Sequence, residues 1–455
     1  MKVGLLPFYI SLYDEGAPHL RERLYKFYDC IASKIASNEV EVVLNDFCCE
    51  KEQFEEAIAK FENENCDAIM TLHMAYSPSL KSIEALTKTN LPIIVVDTTD
   101  TEDFSDKSNP DNVLYCHGIH GVMDMCNMLK KNNKPYAIAA GYYENSDVIE
   151  RAVGFLKAAV SAKAVVNSKT GSVGDYFDGM GDFRISDEKL KEKFGIDVIY
   201  PKENELTELS KTVTKEEIEE EKQRNTADFN FIEDVDEKVY ENSIKADLTL
   251  KKWIEKNELN ALTVNFRNVC GLPTMPFVGA CRAMQNKIGY AGEGDKFTAS
   301  FVGGLLQGYK DTSFVEIFCP DWKNNTVMIS HMGEINYNLA QDKPEAFEQN
   351  FIYGDCENPI IATAAYKEGN AVFMNIFEDS EGINALIAPV HVLGEKSDNF
   401  KKSVRGWLDF GMPVGNLLER ISDIGATHHS ILIYDTTVEE MEFFAKLIGL
   451  KVSEM

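Results

Sequence analysis

The chain has 455 residues, too many for a single hydrophobic core, so two or three domains are expected. Its formal net charge of -28 disfavours nucleic acid and anionic membrane surfaces as partners, because like charges repel. The hydrophobic fraction of 44 % allows real cores, and no apolar run reaches the roughly 18 residues that a membrane-spanning helix needs.

The N-terminal stretch "MKVGLLPFYISLYDEG" is briefly apolar, carries Pro7 and turns acidic at Asp14 and Glu15. It reads as a buried first strand rather than a signal peptide. The 10 cysteines are scattered with no repeated CxxC, and Cys48 and Cys49 are adjacent, an awkward geometry for a mutual bridge. Reduced thiols and a cytoplasmic location are expected.

The first third alternates two kinds of pattern. "KVGLLPFYI", "VEVVLND", "DAIMTLHM", "PIIVVDTT" and "YAIAAGYY" read as strands. Amphipathic segments such as "HLRERLYKFYDCIASKIAS" and "KEQFEEAIAKFENE" lie between them. Short apolar strands alternating with helices predict βαβ units and a parallel sheet. Residues 1–167 are therefore assigned to a doubly wound, Rossmann-like α/β domain.

A central α/β domain is expected over residues 168–308. The glycine-rich "TGSVGDYFDGMGDF" opens it, and "TKEEIEEEKQRN" is a charge run best read as a solvated helix face. "KVYENSIKADLTLKKWIEKN" predicts a long helix and "ALTVNF" a strand. Over residues 309–455 the pattern becomes strand-rich, with "SFVEIFC", "TVMISHM", "PIIATAAY", "AVFMNIF", "INALIAPVHVL" and "HSILIYD". This predicts a mainly antiparallel, barrel-like β domain. A last helix over "TVEEMEFFAKLIGL" starts behind Thr437, an N-cap residue type.

Four places combine a potential ligand with a turn or strand end: Glu293 in "YAGEGDKF", Glu316 in "DTSFVEIF", His331 in "MISHMGEI", and the adjacent His428 and His429 in "GATHHSIL". A glutamate between glycines is usually a turn residue, and a histidine at a strand end is usually structural. Together they supply mixed oxygen and nitrogen donors, which suit Mn²⁺ or a similar divalent ion better than a thiolate-loving metal. Gly292 and Gly294 would let the backbone at Glu293 approach closely. Adjacent strand residues point to opposite faces, so only one of the two neighbouring histidines is expected to face an ion.

"IGYAGEGDKFTAS", "DTSFVEIF", "SHMGEI" and "GATHHSIL" resemble four signature segments of the L-arabinose isomerase family, in the same order and at similar spacing. "ALTVNFRNVCGLP" and "YFDGMGDFRISDEKLKEKFGIDV" are similar to stretches of that family's central domain, and "DAIMTLHMAYSPS" and "VLYCHGIHG" resemble parts of its N-terminal domain. The resemblance implies that Glu293, Glu316, His331 and His429 ligate Mn²⁺, or another divalent ion such as Co²⁺ or Mg²⁺. It leaves His428 on the other face or at the pocket rim, in reach of substrate. It matches His117 to a substrate-contacting histidine supplied by a neighbouring subunit, and Met180 and Phe266 to pocket-wall positions.

The implied activity is interconversion of an open-chain aldose and ketose, with Glu293 and Glu316 as base and acid through a cis-enediol, or by a metal-assisted hydride shift. It also implies a homo-oligomer, hexameric or tetrameric, with active sites at subunit contacts. Three departures bear on the sugar. The first strand is followed by "FYISLYDEG" where the family has Gly-Ser-Gln-His, Asp97, Thr98 and Thr99 replace His-Thr-Gln, and Ile317 follows Glu316 where the family has Asp. A hexose, deoxy or charged sugar thus stands beside L-arabinose as a candidate substrate. The rivals are a sugar-binding protein that kept the fold without activity, and a metallohydrolase.

Overall fold

The computed structural model describes residues 1–354, 356–394 and 398–454. The chain divides into two compact units, Met1–Val160 and Ser161–Met455. Cys48 and Cys49 are both free thiols and form no mutual bridge. Among the described residues no helix is long and apolar enough to cross a membrane.

The first unit is built on five strands, β1 (Lys2–Phe8), β2 (Glu41–Leu44), β3 (Ala68–His73), β4 (Ile93–Asp97) and β5 (Tyr136–Ala140). They form one parallel sheet in the order β2-β1-β3-β4-β5. The central strands are near-continuous apolar runs because helices cover both sheet faces: β3 is buried at every position. Edge strand β5 instead alternates buried and exposed residues. This strand order reverses direction between β1 and β3, and the carboxyl ends there are where doubly wound folds open a crevice. His117 lies in this unit. Its Nε2 is 2.6 Å from the Tyr13 hydroxyl and its Nδ1 2.8 Å from the Val113 carbonyl.

The second unit begins with β6 (Lys169–Val173), β7 (Asp197–Ile199), a short β8 (Asn230–Phe231), β9 (Ala261–Val264) and β10 (Gly289–Gly292). Four of these form a parallel sheet in the order β10-β9-β6-β7. The charge run becomes the helix Lys215–Asp228, whose Thr214 and Glu217 make a reciprocal capping box.

Nine more strands follow: β11 (Thr312–Asp321), β12 (Thr326–Ser330), β13 (Glu345–Glu348), β14 (Ile360–Thr363), β15 (Gly369–Asp379), β16 (Gly382–Leu393), β17 (Gly406–Asp409), β18 (His429–Tyr434) and β19 (Lys451–Glu454). Six of them run β15-β18-β11-β12-β17-β16 and close through the β15–β16 pairing into an antiparallel barrel. Closure removes the free edges. Inward-facing Val315, Val327, Ile329, Phe373, Val392, Leu408 and Leu432 fill it. β19 adds in parallel to β16, and β14, β13 and β8 make a small separate sheet. Thr437 caps the last helix by accepting from the Glu440 backbone N–H.

Candidate metal centre

Two sheets of the second unit meet at the site. From the barrel, β11 lies between β12 and β18. Glu316 is paired directly with His429 on one side and with Ser330 on the other. His331 follows Ser330 at the end of β12, so strand register alone brings the carboxylate between two imidazoles. Glu316 Oε1 is 3.0 Å from His331 Nε2 and 3.1 Å from His429 Nε2. Phe314, two residues earlier on the same face, sets its ring edge-on to both imidazoles.

Glu293 arrives from the parallel sheet, one residue beyond the carboxyl end of β10. Its φ of 63° is left-handed, a conformation that costs a non-glycine residue energy and that its surroundings must enforce. Thr263 Oγ1 accepts from Gly294 N–H, and the Glu293 carbonyl accepts from Phe177 N–H at 2.8 Å. Both flanking glycines are required sterically. A Cβ on Gly292 would meet His331 Cε1 at 2.7 Å, and one on Gly294 would meet the Asp175 carbonyl at 2.5 Å.

Glu293, Glu316, His331 and His429 are all buried. Glu293 Oε2, Glu316 Oε1 and His429 Nε2 are buried and make no well-aligned hydrogen bond, although carboxylate and imidazole stand at ion-pair distance. One ligand atom from each of Glu293, Glu316, His428 and His429 lies within 4.8 Å of the others. Orphaned donors converging this closely, two oxygens among imidazole nitrogens, fit a divalent cation.

Without such an ion the charges balance through protons. Burial opposes ionisation of Glu293, but His428, His429 and His331 outweigh it and hold the carboxyl at about 2. Burial likewise opposes ionisation of Glu316, and His331 and His429 still hold it well below the usual carboxylate range. Burial works against charge on the imidazoles too. Asp295, Glu293 and Glu316 raise His429, Glu334 and Glu316 raise His331, and Asp182 and Glu293 carry His428 up to about 9.

The alternation argument for the histidine pair does not apply, because β18 starts at His429 and His428 lies just before it. Nε2 of each ring is 3.6 Å from Glu293 Oε2. His428 Nδ1 is tied to Asp182 Oδ2 at 2.6 Å, and its side chain stays 37 % exposed, on the rim. Phe266 stacks on Phe177, the residue bonded to the Glu293 carbonyl. Met180 lies in the same β6-to-helix segment, three residues before Phe183. Ile317 packs toward the barrel core, on the opposite face of β11 from Glu316, so it does not border the donor cluster.

Several supporting residues went unread in the sequence. Phe183 stacks on His429 at 4.5 Å with the rings 5° from parallel. Asn375 donates to the carbonyls of Thr427 and His429, both at 2.7 Å, and fixes the start of β18. Lys296 is buried against Asp187 and the Tyr200 hydroxyl and ties the segment after β6 to the helix Lys296–Gly308. The available signals were short range: Asp295 lies two residues after Glu293, and Glu334 three after His331.

Comparison with known proteins agrees with this architecture. The L-arabinose isomerase central domain matches residues 185–306, and the L-arabinose isomerase C-terminal domain matches residues 311–451. An L-arabinose isomerase of Oceanobacillus iheyensis is 23 % identical over 440 residues, covering 90 % of this chain and 89 % of that protein. L-arabinose isomerase 2 of Bacillus licheniformis is 25 % identical over 351 residues, covering 71 % of this chain and 70 % of that protein. A solved periplasmic solute binding protein with bound D-allose, from Actinobacillus succinogenes, is 13 % identical, covers 68 % of this chain and 91 % of its own, and has a TM-score of 0.19, which carries no argument. With more than half of its length matched by the two domains, the chain belongs to the L-arabinose isomerase family and is an aldose–ketose isomerase, an intramolecular oxidoreductase.

Proposed function

We propose that this isomerase depends on a divalent cation held by Glu293, Glu316, His331 and His429, with Mn²⁺ first in preference and Co²⁺ or Mg²⁺ as alternatives. The observation that carries the reading is the convergence of three buried atoms, Glu293 Oε2, Glu316 Oε1 and His429 Nε2, none of which makes a well-aligned hydrogen bond. The bound ion would supply Lewis acidity toward neighbouring sugar oxygens.

The protein's own groups do the rest. Glu293 and Glu316 approach one space from two different sheets, so carboxylates flank a substrate placed there. One takes the proton from the carbon beside the carbonyl while the carbonyl oxygen gains a proton, which gives a cis-enediol. The carbon-bound proton then returns to the former carbonyl carbon as the neighbouring hydroxyl loses its own, and the carbonyl moves by one position. A hydride shift between the two carbons would need the same residues. His428, on the rim and anchored to Asp182, is placed to exchange the hydroxyl proton. Phe183 and Phe314 wall the imidazoles with apolar surface and keep water from the ligand atoms. Met180 and Phe266 are proposed as pocket wall and His117 as a sugar contact donated by a neighbouring subunit.

The sugar is a pentose or hexose, L-arabinose or a relative. The altered segments after β1 and β4, Tyr9 to Asp14 and Asp97 to Thr99, support a substrate other than L-arabinose. We further propose a cytoplasmic homo-oligomer, hexameric or tetrameric, and a functional division of the second unit near residue 308, within the three-part organisation 1–167, 168–308 and 309–455.

The test is a metal-stripped protein given back Mn²⁺ and offered a panel of aldoses and ketoses that includes L-arabinose, D-galactose and L-fucose. Turnover that requires Mn²⁺ supports the reading. Full turnover by metal-free protein, or binding of sugars with no interconversion, overturns it. An active monomer in light scattering would remove the oligomer.

A further inference from the structure

His429 and His331, the two imidazoles proposed as ligands, each have a buried carboxylate behind them. His429 Nδ1 lies 2.8 Å from Asp295 Oδ2, with both side chains 0 % exposed. His331 Nδ1 lies 2.5 Å from Glu334 Oε2, where the Glu334 side chain is 2 % exposed. The carboxylates are themselves fixed. Asp295 Oδ1 accepts from the Thr298 backbone N–H at 2.9 Å and so caps the helix Lys296–Gly308. Glu334 Oε2 also accepts from Gly333 N–H, and its Oε1 accepts from the Tyr290 hydroxyl, each at 3.0 Å. Neither carboxylate reaches the space between Glu293 and Glu316.

We infer that Asp295 and Glu334 are positioning residues that lock His429 and His331 in the tautomer carrying its proton on Nδ1, so that each Nε2 offers a lone pair to the cation. Nε2 of each ring faces Glu316 Oε1, at 3.0 and 3.1 Å, but a cation held there would occupy that side; on the other side a carboxylate can only accept, so the proton of the neutral ring stays on Nδ1. Such outer partners orient a ligand and strengthen it as a donor, and their loss typically weakens metal binding by about 10–100-fold. The inference rests on the metal reading above and goes beyond it by assigning work to two residues that touch neither metal nor sugar.

The surroundings of the two carboxylates differ, and so do the expected outcomes. In Asp295→Asn the side-chain oxygen stays on Thr298 N–H, because the helix cap needs an acceptor. The amide NH₂ then faces His429 Nδ1 and pushes the ring proton to Nε2, where it points at the cation. In Glu334→Gln one oxygen can serve both Gly333 N–H and His331 Nδ1, while the NH₂ donates to the Tyr290 hydroxyl, which can turn and accept. That variant keeps the tautomer and loses only charge.

The experiment is titration of Mn²⁺ into the metal-free full-length protein, followed by calorimetry, beside thermal melting of the same metal-free samples. Wild type is expected to bind Mn²⁺. Asp295→Asn should bind about 10–100-fold more weakly, and Glu334→Gln should lose less than about 10-fold. Each variant removes the charge partner of a raised imidazole and should melt somewhat lower without metal, but only the tautomer argument makes the loss of Mn²⁺ affinity larger for Asp295→Asn than for Glu334→Gln, a difference that a purely structural role would not produce. Wild-type binding with Asp295→Asn equally tight overturns this inference alone. No Mn²⁺ binding by wild type overturns the metal reading, and this inference with it. If Asp295→Asn does not fold, Glu334→Ala decides, because it removes the acceptor on His331 Nδ1 altogether: a loss of affinity of about 10-fold or more supports the inference, and unchanged affinity overturns it.

Discussion

The ring of His331 occupies the space that a side chain at Gly292 would fill: a Cβ there would stand 2.7 Å from Cε1 of the imidazole. The ring cannot retreat, because Glu334 holds its far nitrogen. Gly292→Ala is therefore expected to displace one ligand without disturbing backbone conformation, since Gly292 has no left-handed φ to satisfy. Mn²⁺ affinity should fall by at least about tenfold, a cost on the order of 1.4 kcal/mol. Calorimetric titration of the variant checks this, and wild-type affinity would show that the ring moves freely.

Glu316 touches both imidazoles, so Glu316→Gln removes the charge at the centre of the cluster. Turnover is expected to drop by about 10²–10⁴-fold, the range for loss of a positioned acid or base. His331 and His429 should also titrate at lower pH in the variant, because Glu316 is among the groups that raise them. Initial rates on the responsive sugar, measured over a range of Mn²⁺ concentrations, separate lost chemistry from lost metal. Rates within about threefold of wild type would remove Glu316 from the reaction.

Proton and cation compete for one cavity. His428 is raised to about 9 in the folded protein, and His331 and His429 are raised as well. Unfolded histidine titrates near 6.5. The stability these rings contribute is fully present below about 6.5 and is lost as pH climbs through the folded values. Metal-free protein should then melt at a lower temperature at pH 9 than at pH 6.5. Mn²⁺ uptake at pH 7 should release protons and strengthen as pH rises. Calorimetry in two buffers of different ionisation enthalpy counts the released protons, and a count of zero would contradict the charged imidazoles.

The first unit should respond to pH in the opposite direction. His73, at the end of β3, is fully buried, stacks on Phe8, and has no hydrogen-bond partner on either ring nitrogen. Burial pushes its pKa down to about 3, with Asp124 opposing. The folded state refuses a proton that the unfolded chain accepts near 6.5. Its stability contribution is present above that pH and is lost toward pH 3, at up to about 1.4 kcal/mol per pH unit. Urea unfolding between pH 7 and pH 4 should show a shallower acid loss for His73→Gln than for wild type. Equal slopes would mean that His73 takes up a proton while folded.

The layer organisation was legible because period and length agree. Apolar β1 and β3 between amphipathic helices specify a parallel sheet, and the strand-rich final third specifies an antiparallel one. Of the strands that escaped notice, β6 has five residues and overlaps a stretch read as glycine-rich punctuation, and the rest are shorter. β13, β17 and β19 have four residues each, and pairing partners rather than local pattern define them. At the site, Glu293, Glu316, His331 and His429 were singled out through the resemblance, and strand register sets Glu316 beside both imidazoles. Strand alternation could not order the histidine pair, because β18 starts only at His429; His428 lies at the rim, one of the two places expected for it. Ile317, adjacent in sequence to Glu316, lies on the other face of β11. Asp295 and Glu334 sat inside the quoted motifs, yet nothing in their spacing distinguishes a carboxylate behind a histidine from one in solvent.

Barrel closure has a consequence for traffic. β18 is hydrogen-bonded along one edge to β11 and along the other to β15, so His429 and Glu316 stand in a woven wall with no seam to part. The segment from Gly174 to Ser186, which carries Asp182 and Phe183, joins no sheet and is held by bonds such as Phe177 N–H to the Glu293 carbonyl and by Asp182 Oδ2, which takes both the backbone N–H and Nδ1 of His428. Sugar and ion therefore reach the cluster past the solvent-facing pair His428 and Asp182 rather than through the weave.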